Sequence, residues 1–389
     1  MEKVSAKLKQ IPEDFRVEEI GDKWACKTEE KFTPKKPDLK NIEDAEPKTF
    51  LWLELEKRNI DHFKTIKIIA ERLNKDVKDI GYAGTKDKAA ITSQRISIQN
   101  PNTKKLKEFY HPKIILKNPK WNKRKIKMGY LNENRFKITL RDLDKKDAIK
   151  ISNKISKTKT FPNYFGAQRF GTLRKNNVEI GKLILKREFK SAIDRILTDT
   201  SENENEEITK ARLKLKKEKD YKKAQKYFPE TLKLEHSLLK NLSRKPKDYI
   251  NAIKYANRKN MLMYVHAVQS KMFNEILSHA LEQKLDFKKE GHKNCLLIGY
   301  KSRFFEGPLG EIEKEVLKEN SLTLQDFNII EIPYLRIKGS FRKALTEVKN
   351  LKTEIKDDEL TPPSKKIILE FTLPSGVYAT TFLSLFFSF

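Results

Sequence analysis

The stretch from Gly81 to Ile98, GYAGTKDKAAITSQRISI, constrains the chain more than any other. Gly81 and Gly84 open it, and from Thr92 to Ile98 alternation with β-branched residues predicts a strand, so the segment reads as a loop feeding a sheet. One acid stands in that loop, Asp87, between Lys86 and Lys88. Cationic neighbours favour the ionised carboxylate, and an ionised carboxylate on a glycine-permitted loop is suited to act as a nucleophile or base. A K-D-K triplet in a lysine-rich chain is also the composition of a solvated turn. The residues alone leave both readings open.

Charge supplies the second constraint. The 389 residues carry 83 Lys+Arg against 54 Asp+Glu, a formal net charge of +29. That excess goes beyond what solubility requires and points to a polyanion, nucleic acid first. The length accommodates two domains, and a hydrophobic content of 38% supplies their cores. A membrane surface attracts the same charge, yet no run of about 18 apolar residues occurs, and Met1 to Gln10 lacks a signal-peptide pattern. Cys26 and Cys295 are too few and too distant for a disulfide framework and fit a reducing cytoplasm. His292 and Cys295 form an isolated H-x-x-C with no second pair at ligand spacing, so no metal is expected. The richness in Lys, Glu and Ile resembles proteins from hot environments.

In chain order, Phe15 and Val17 alternate with Arg16 and Glu18, a strand pattern. Glu29 to Lys48 is polar, contains Pro34, Pro37 and Pro47, and reads as a loop. Phe50, Trp52, Leu53 and Leu55 predict a strand, after which Asp61 caps a helix with Phe63, Ile66, Ala70 and Leu73 at helical spacing. Between Pro112 and Arg141 cations interleave with apolar and aromatic residues, as from Lys120 to Lys127. Such a stripe suits an RNA backbone with an exposed base, or an edge strand protected by lysines. Asp142 looks like the cap of a helix that turns Ala148, Ile151 and Ile155 inward. Pro162 to Gly171, PNYFGAQRFG, gathers three aromatics, an Asn, a Gln and an Arg. These are the stacking faces and hydrogen-bonding groups a flipped base needs, and equally the makings of a core cluster at a strand end. The acidic Ser201 to Glu207 and the charged Lys210 to Lys226 read as exposed helix or loop. Tyr264 to Leu281 predicts a helix, Lys366 to Leu373 a strand, and Phe382 to Phe389 a closing core segment.

Together these motifs resemble the TruD family of tRNA pseudouridine synthases, in its archaeal form. Gly81 to Gln94 follows G-x-x-G-x-K-D-x-x-A-x-T-x-Q, and Lys9 to Glu19 follows the opening K-x-x-P-E-D-F-x-V-x-E. Asn163 to Gly171 matches N-Y-F-G-x-Q-R-F-G throughout. Gly129 to Phe136 resembles G-x-L-x-G-N-x-F with Glu133 in place of the Gly, and Gln269 to Asn274 and Phe341 to Leu345 also carry family-like wording. Leu373 to Thr380 resembles the closing L-P-x-G-x-[YF]-A-T, with Ser384 and Leu385 where charged residues usually follow.

The resemblance implies an α+β fold. A pseudouridine-synthase-like catalytic domain, residues 1–171 and 340–389, surrounds a mixed or mainly antiparallel sheet, and residues 172–339 form a largely helical α+β insertion for RNA binding. It further implies conversion of uridine to pseudouridine, at uridine 13 of tRNA, by a cytoplasmic enzyme, read as a monomer, that needs no cofactor. By the same resemblance Asp87 is the catalytic aspartate and Lys9 stands beside it. Phe15, Asn163, Phe165 and Tyr378 meet the substrate, joined by Thr92 and Gln94 from the end of the Asp87 motif. Lys86, Lys88, Lys123, Arg124, Lys125 and Arg169 are candidate contacts to the RNA backbone. Two other readings remain. Gly81 to Gly84 is a G-x-x-G such as a KH-type module uses to clamp RNA, which makes a non-catalytic binder, although the flanking helices of that module are not predicted. A glycosidase-like enzyme requires a second acid, and no partner for Asp87 stands out.

Overall fold

A computed structural model describes residues 3–39, 49–287 and 293–389. The chain divides into two compact units, Met1–Phe161 with Thr346–Phe389, and Pro162–Leu345. The first is built from both ends of the sequence. PNYFGAQRFG and Phe341 to Leu345, read from sequence as part of the first domain, fall in the second unit.

The first unit is organised by a mixed sheet. Its main strands are β1 (Phe15–Gly21), β2 (Phe50–Arg58), β3 (Ile91–Gln99), β4 (Ile114–Asn122), β5 (Glu133–Leu143), β6 (Lys349–Asp357) and β7 (Lys365–Pro374), in the order β6-β7-β5-β1-β3-β2-β4. The β1–β3 pair is parallel and the other neighbours are antiparallel. This is the mixed, mainly antiparallel sheet expected of the α+β fold. Short strands Lys7–Leu8 and Ile80–Tyr82 add to β5 and β3.

Strand β2 shows how alternation becomes packing. Leu51, Leu53 and Leu55 share a core with Ile66, Ile69 and Ala70 of α1 (His62–Arg72). The opposite face buries Glu54 and Glu56. Glu54 accepts hydrogen bonds from Ser93 Oγ (2.8 Å) and Asn118 Nδ2 (2.6 Å), and Glu56 pairs with Lys117 (2.5 Å). Strand β4 forms one edge of the sheet, so the cation-rich stretch lies where lysines discourage further strand pairing.

Two local expectations change. Asp61 caps α1, accepting from the Lys64 N–H at 2.9 Å, but Phe63 is 62% exposed and the inward face is His62, Thr65, Ile66, Ile69 and Ala70. The cap of α2 (Lys145–Ser156) is Asp144 instead of Asp142. Asp142 has φ +62, outside the extended geometry of an N-cap, and pairs with Lys7 at 2.8 Å. Ala148, Ile151 and Ile155 do face the core.

Buried Arg141 ties the separated segments of this unit together, reaching Asp14 at 2.8 Å and Asp358 at 2.6 Å. Phe382, Leu383, Phe386 and Phe387 are buried, and Phe387–Ser388 pairs with Val4–Ser5, so the C-terminal segment closes the core as expected.

The second unit is largely helical, with the antiparallel pair Asn294–Leu297 and Ser340–Lys343. Its centre is α4 (Arg258–Glu282), longer than the periodicity predicts because Asn257 caps it, accepting from the N–H groups of Lys259 and Asn260. Helix α3 (Asn177–Leu185) crosses α4 so closely that a Cβ on Gly181 would lie 2.2 Å from the Tyr264 carbonyl oxygen. Part of the acidic tract enters the fold, since Glu204 binds buried Arg212 at 3.1 Å and Asn205 caps the helix Glu206–Glu218. Among the described residues no helix is long and apolar enough to cross a membrane.

Candidate active site

The Asp87 loop lies between Ile80–Tyr82 and β3. Gly81 is needed where the chain enters it, because a Cβ there would lie 2.2 Å from the Ile126 carbonyl oxygen. Strands on both sides, in place of helices, distinguish this G-x-x-G segment from a KH loop.

Inward-facing groups hold the loop. Gln94 Nε2 donates to the Gly84 carbonyl at 3.1 Å. Lys86 turns down onto Glu19 at 2.5 Å, with side chains 6% and 0% exposed. Burial raises the Glu19 carboxyl above its usual range, the Lys86 charge opposing the shift. Lys57, fully buried at the end of β2, donates from Nζ to the carbonyls of Asp87 and Ile60. Burial lowers its ammonium to about 8.

The Asp87 side chain remains half-exposed, with Lys9 Nζ 2.6 Å from Oδ2. Lys9 Nζ also lies 4.0 Å from the centroid of the Phe15 ring, a cation–π contact. The arrangement is a fixed carboxylate with one bound cation and an open approach, suited to nucleophilic or basic work.

The second unit carries its own cluster. Phe165 is held by Asn274, whose Oδ1 accepts from the Phe165 N–H at 2.8 Å and whose Nδ2 donates to the Phe165 carbonyl at 3.0 Å. The Phe165 ring meets Phe273 edge-on at 5.5 Å and the guanidinium groups of Arg342 at 4.2 Å and Arg169 at 5.2 Å. Asn163 Oδ1 accepts from Arg342 at 2.6 Å, and its Nδ2 donates to the Lys343 carbonyl at 3.0 Å.

The sequence matches the family described as tRNA pseudouridine synthase D (TruD) over residues 1–296 and 288–386. Probable tRNA pseudouridine synthase D of Methanosarcina acetivorans is 30% identical, covering 98% of this chain and 92% of the relative. The corresponding protein of Methanopyrus kandleri is 34% identical over 85% of this chain and 83% of its own. The chain belongs to the TruD family. In three dimensions it is similar to the crystal structure of the putative tRNA pseudouridine synthase D from Methanosarcina mazei, with a TM-score of 0.78, 30% identity, and coverage of 98% of this chain and 93% of that one.

The resemblance read from the motifs is thus borne out, whereas several residues singled out with it stand differently in the fold. Phe15 is 3% exposed and packs against Phe136, so its ring belongs to the core beneath Lys9. Thr92 and Gln94 are buried in β3, and Gln94 serves the loop. Lys86 is committed to Glu19 and is not free for a phosphate. Lys125 is half-buried and donates to the Lys78 carbonyl. Lys88, Lys123 and Arg124 are exposed, Arg169 is half-buried, and Tyr378 is 49% exposed at the start of Ala379–Leu383.

Sequence reasoning gave no role to Lys57, Asn274 or Arg342. Lys57 carried a signal, being in phase with Leu51, Leu53 and Leu55. Asn274 and Arg342 stand 109 and 179 residues from their partners, and nothing in spacing links them. His292 lies outside the described residues. Cys295 is buried, which with nearby Glu313 pushes its thiol up to about 12.

Proposed function

We propose that this protein isomerises uridine to pseudouridine in tRNA, at uridine 13, with Asp87 as the reacting carboxylate. The observation that carries the reading is the Asp87 side chain, half-exposed on a loop held by buried groups and paired with Lys9 at 2.6 Å within the family's motif. Family membership supports the isomerase activity and tRNA as the substrate, and the net charge of +29 suits a polyanion.

Asp87 attacks ribose C1′, or removes a neighbouring ribose proton, as the bond from C1′ to uracil N1 breaks. The freed uracil turns and C1′ joins C5 as the bond from Asp87 to C1′ breaks, or as Asp87 returns the ribose proton; the C5 proton is then lost and N1 gains one. Substrate and product are isomers, so no oxidant or reductant enters. Lys9 keeps Asp87 oriented and paired until substrate arrives. Phe165, Asn163 and Tyr378 are the proposed contacts to base and ribose, with Arg342 and Asn274 fixing the first two. Much of the selectivity for a folded RNA is assigned to the inserted residues, since a pocket for one base is too small to choose among uridines.

Unmodified tRNA incubated with the protein and probed chemically for pseudouridine tests this. Wild-type protein should modify position 13, and Asp87→Asn should abolish the product while leaving RNA affinity nearly unchanged. Near wild-type turnover by the Asn variant would refute the assignment.

A further inference from the structure

Lys57 occupies a place where an apolar side chain is the ordinary choice. It follows Leu51, Leu53 and Leu55 on the face of β2 that packs against α1, and it is fully buried. Lysine is almost never fully buried unless its charge is met, because desolvating an ammonium is costly. Two of its three donors are used, on the Ile60 carbonyl at 2.9 Å and on the Asp87 carbonyl. The charged and titratable groups around it are Asp87 and Lys86 from the loop, Asp61 and His62 from the start of α1, and Lys9 from the N-terminal segment. Two carbonyls alone do not require a cation.

We propose that Lys57 is a positioning residue for Asp87, its charged amine fixing the Asp87 backbone through the carbonyl from the buried side while Lys9 meets the carboxylate on the open side. Lys9 and Lys57 then divide the work. Lys9 orients the carboxylate and can be displaced by substrate, whereas Lys57 stays in place through the reaction. The inference rests on Asp87 being the reacting group.

Burial lowers the Lys57 ammonium to about 8, with the charges of Asp87 and Asp61 acting against that shift. The charged amine supports Asp87 more than the neutral one, so kcat/KM should fall as pH rises through about 8. That pH dependence is what a space-filling role would not produce.

Turnover of unmodified tRNA by the full-length protein and its Lys57→Met, Lys57→Arg and Asp87→Asn variants provides the test. Met matches the length of the stem and needs no solvation. Lys57→Met should retain its circular dichroism spectrum, lose about tenfold or more in kcat with KM changed less than about threefold, and show no fall in kcat/KM near pH 8. Lys57→Arg should recover part of the rate and move the alkaline fall upward, because guanidinium stays charged. Wild-type kcat and pH profile in folded Lys57→Met would overturn the proposal. Should that variant not fold, the wild-type profile decides, and a flat kcat/KM from about pH 7 to 9.5 refutes it. An active Asp87→Asn protein removes the reading of Asp87 itself, whereas an inactive one beside an unimpaired Lys57→Met removes only the role of Lys57.

Discussion

Lys9 places its Nζ 2.6 Å from Oδ2 of Asp87 while its own backbone holds φ at +58. Residues with a Cβ seldom adopt that value, so the fold keeps Lys9 in an uncommon geometry that sends its amine to a partner 78 residues away. The two side chains are 23% and 48% exposed, and such a pair is worth at most about 1 kcal/mol of stability. Lys9→Ala should therefore leave the melting temperature almost unchanged and slow turnover by roughly 10- to 100-fold, as expected when a reacting group loses its orientation. Thermal unfolding and single-turnover kinetics on the same preparation check this. An unchanged rate would make Lys9 an ordinary surface lysine.

What was legible in the sequence was local. Asp61 announces its helix because a capping residue stands directly before a 3.6-residue period, β7 is announced by alternation, and β2 by its run of aromatic and aliphatic residues. Asp142 was the wrong cap because two acids lie two residues apart, and only the left-handed backbone at Asp142, tied to Lys7, leaves Asp144 the extended geometry a cap needs. The Asp87 loop was legible as a motif, but its support was not. Lys86 finds Glu19 across 67 residues, and a lysine next to the acid of the motif reads as a phosphate contact until its burial is known. Phe15 shows the same limit, since an aromatic in a strand reads alike whether its ring faces a pocket or the core.

Acid should probe the tie that joins the ends of the first unit. Burial would raise the carboxyl of Asp358, but hydrogen bonds from Thr361, the N–H groups of Asp142 and Leu360, and Arg141 outweigh it and hold the group at about 2. A carboxyl held below its unfolded value adds stability above about pH 4 that disappears as pH falls through about 2. A shift of this size corresponds to roughly 2 kcal/mol. Asp358→Asn should be less stable by about that amount at pH 7 and show a shallower loss between about pH 4 and 2. Urea unfolding across this range measures both, and curves that stay parallel to wild type would show that Asp358 contributes no acid dependence.

Lysines that serve the fold differ from those available to RNA in how they answer to salt. Net charge of +29 implies that affinity for tRNA falls steeply with salt, with a log–log slope of roughly 0.7 to 0.9 per phosphate neutralised. Lys123 and Arg124 are exposed, so replacing both by Ala should lower that slope by about 1 to 2 and weaken binding to all RNAs alike. Lys86 carries the same formal charge, yet it is 6% exposed and paired with Glu19, which is 0% exposed. Its charge is already neutralised, so Lys86→Ala should leave the salt slope as it is. It should instead destabilise the protein by about 3 to 5 kcal/mol, since it strands a buried carboxylate. Binding isotherms at several salt concentrations, recorded well below each variant's melting temperature, distinguish the two. A slope lowered by Lys86→Ala would mean that Lys86 leaves Glu19 for a phosphate when RNA binds, and an unaltered slope in the Lys123 and Arg124 double variant would place the RNA backbone on another part of the surface.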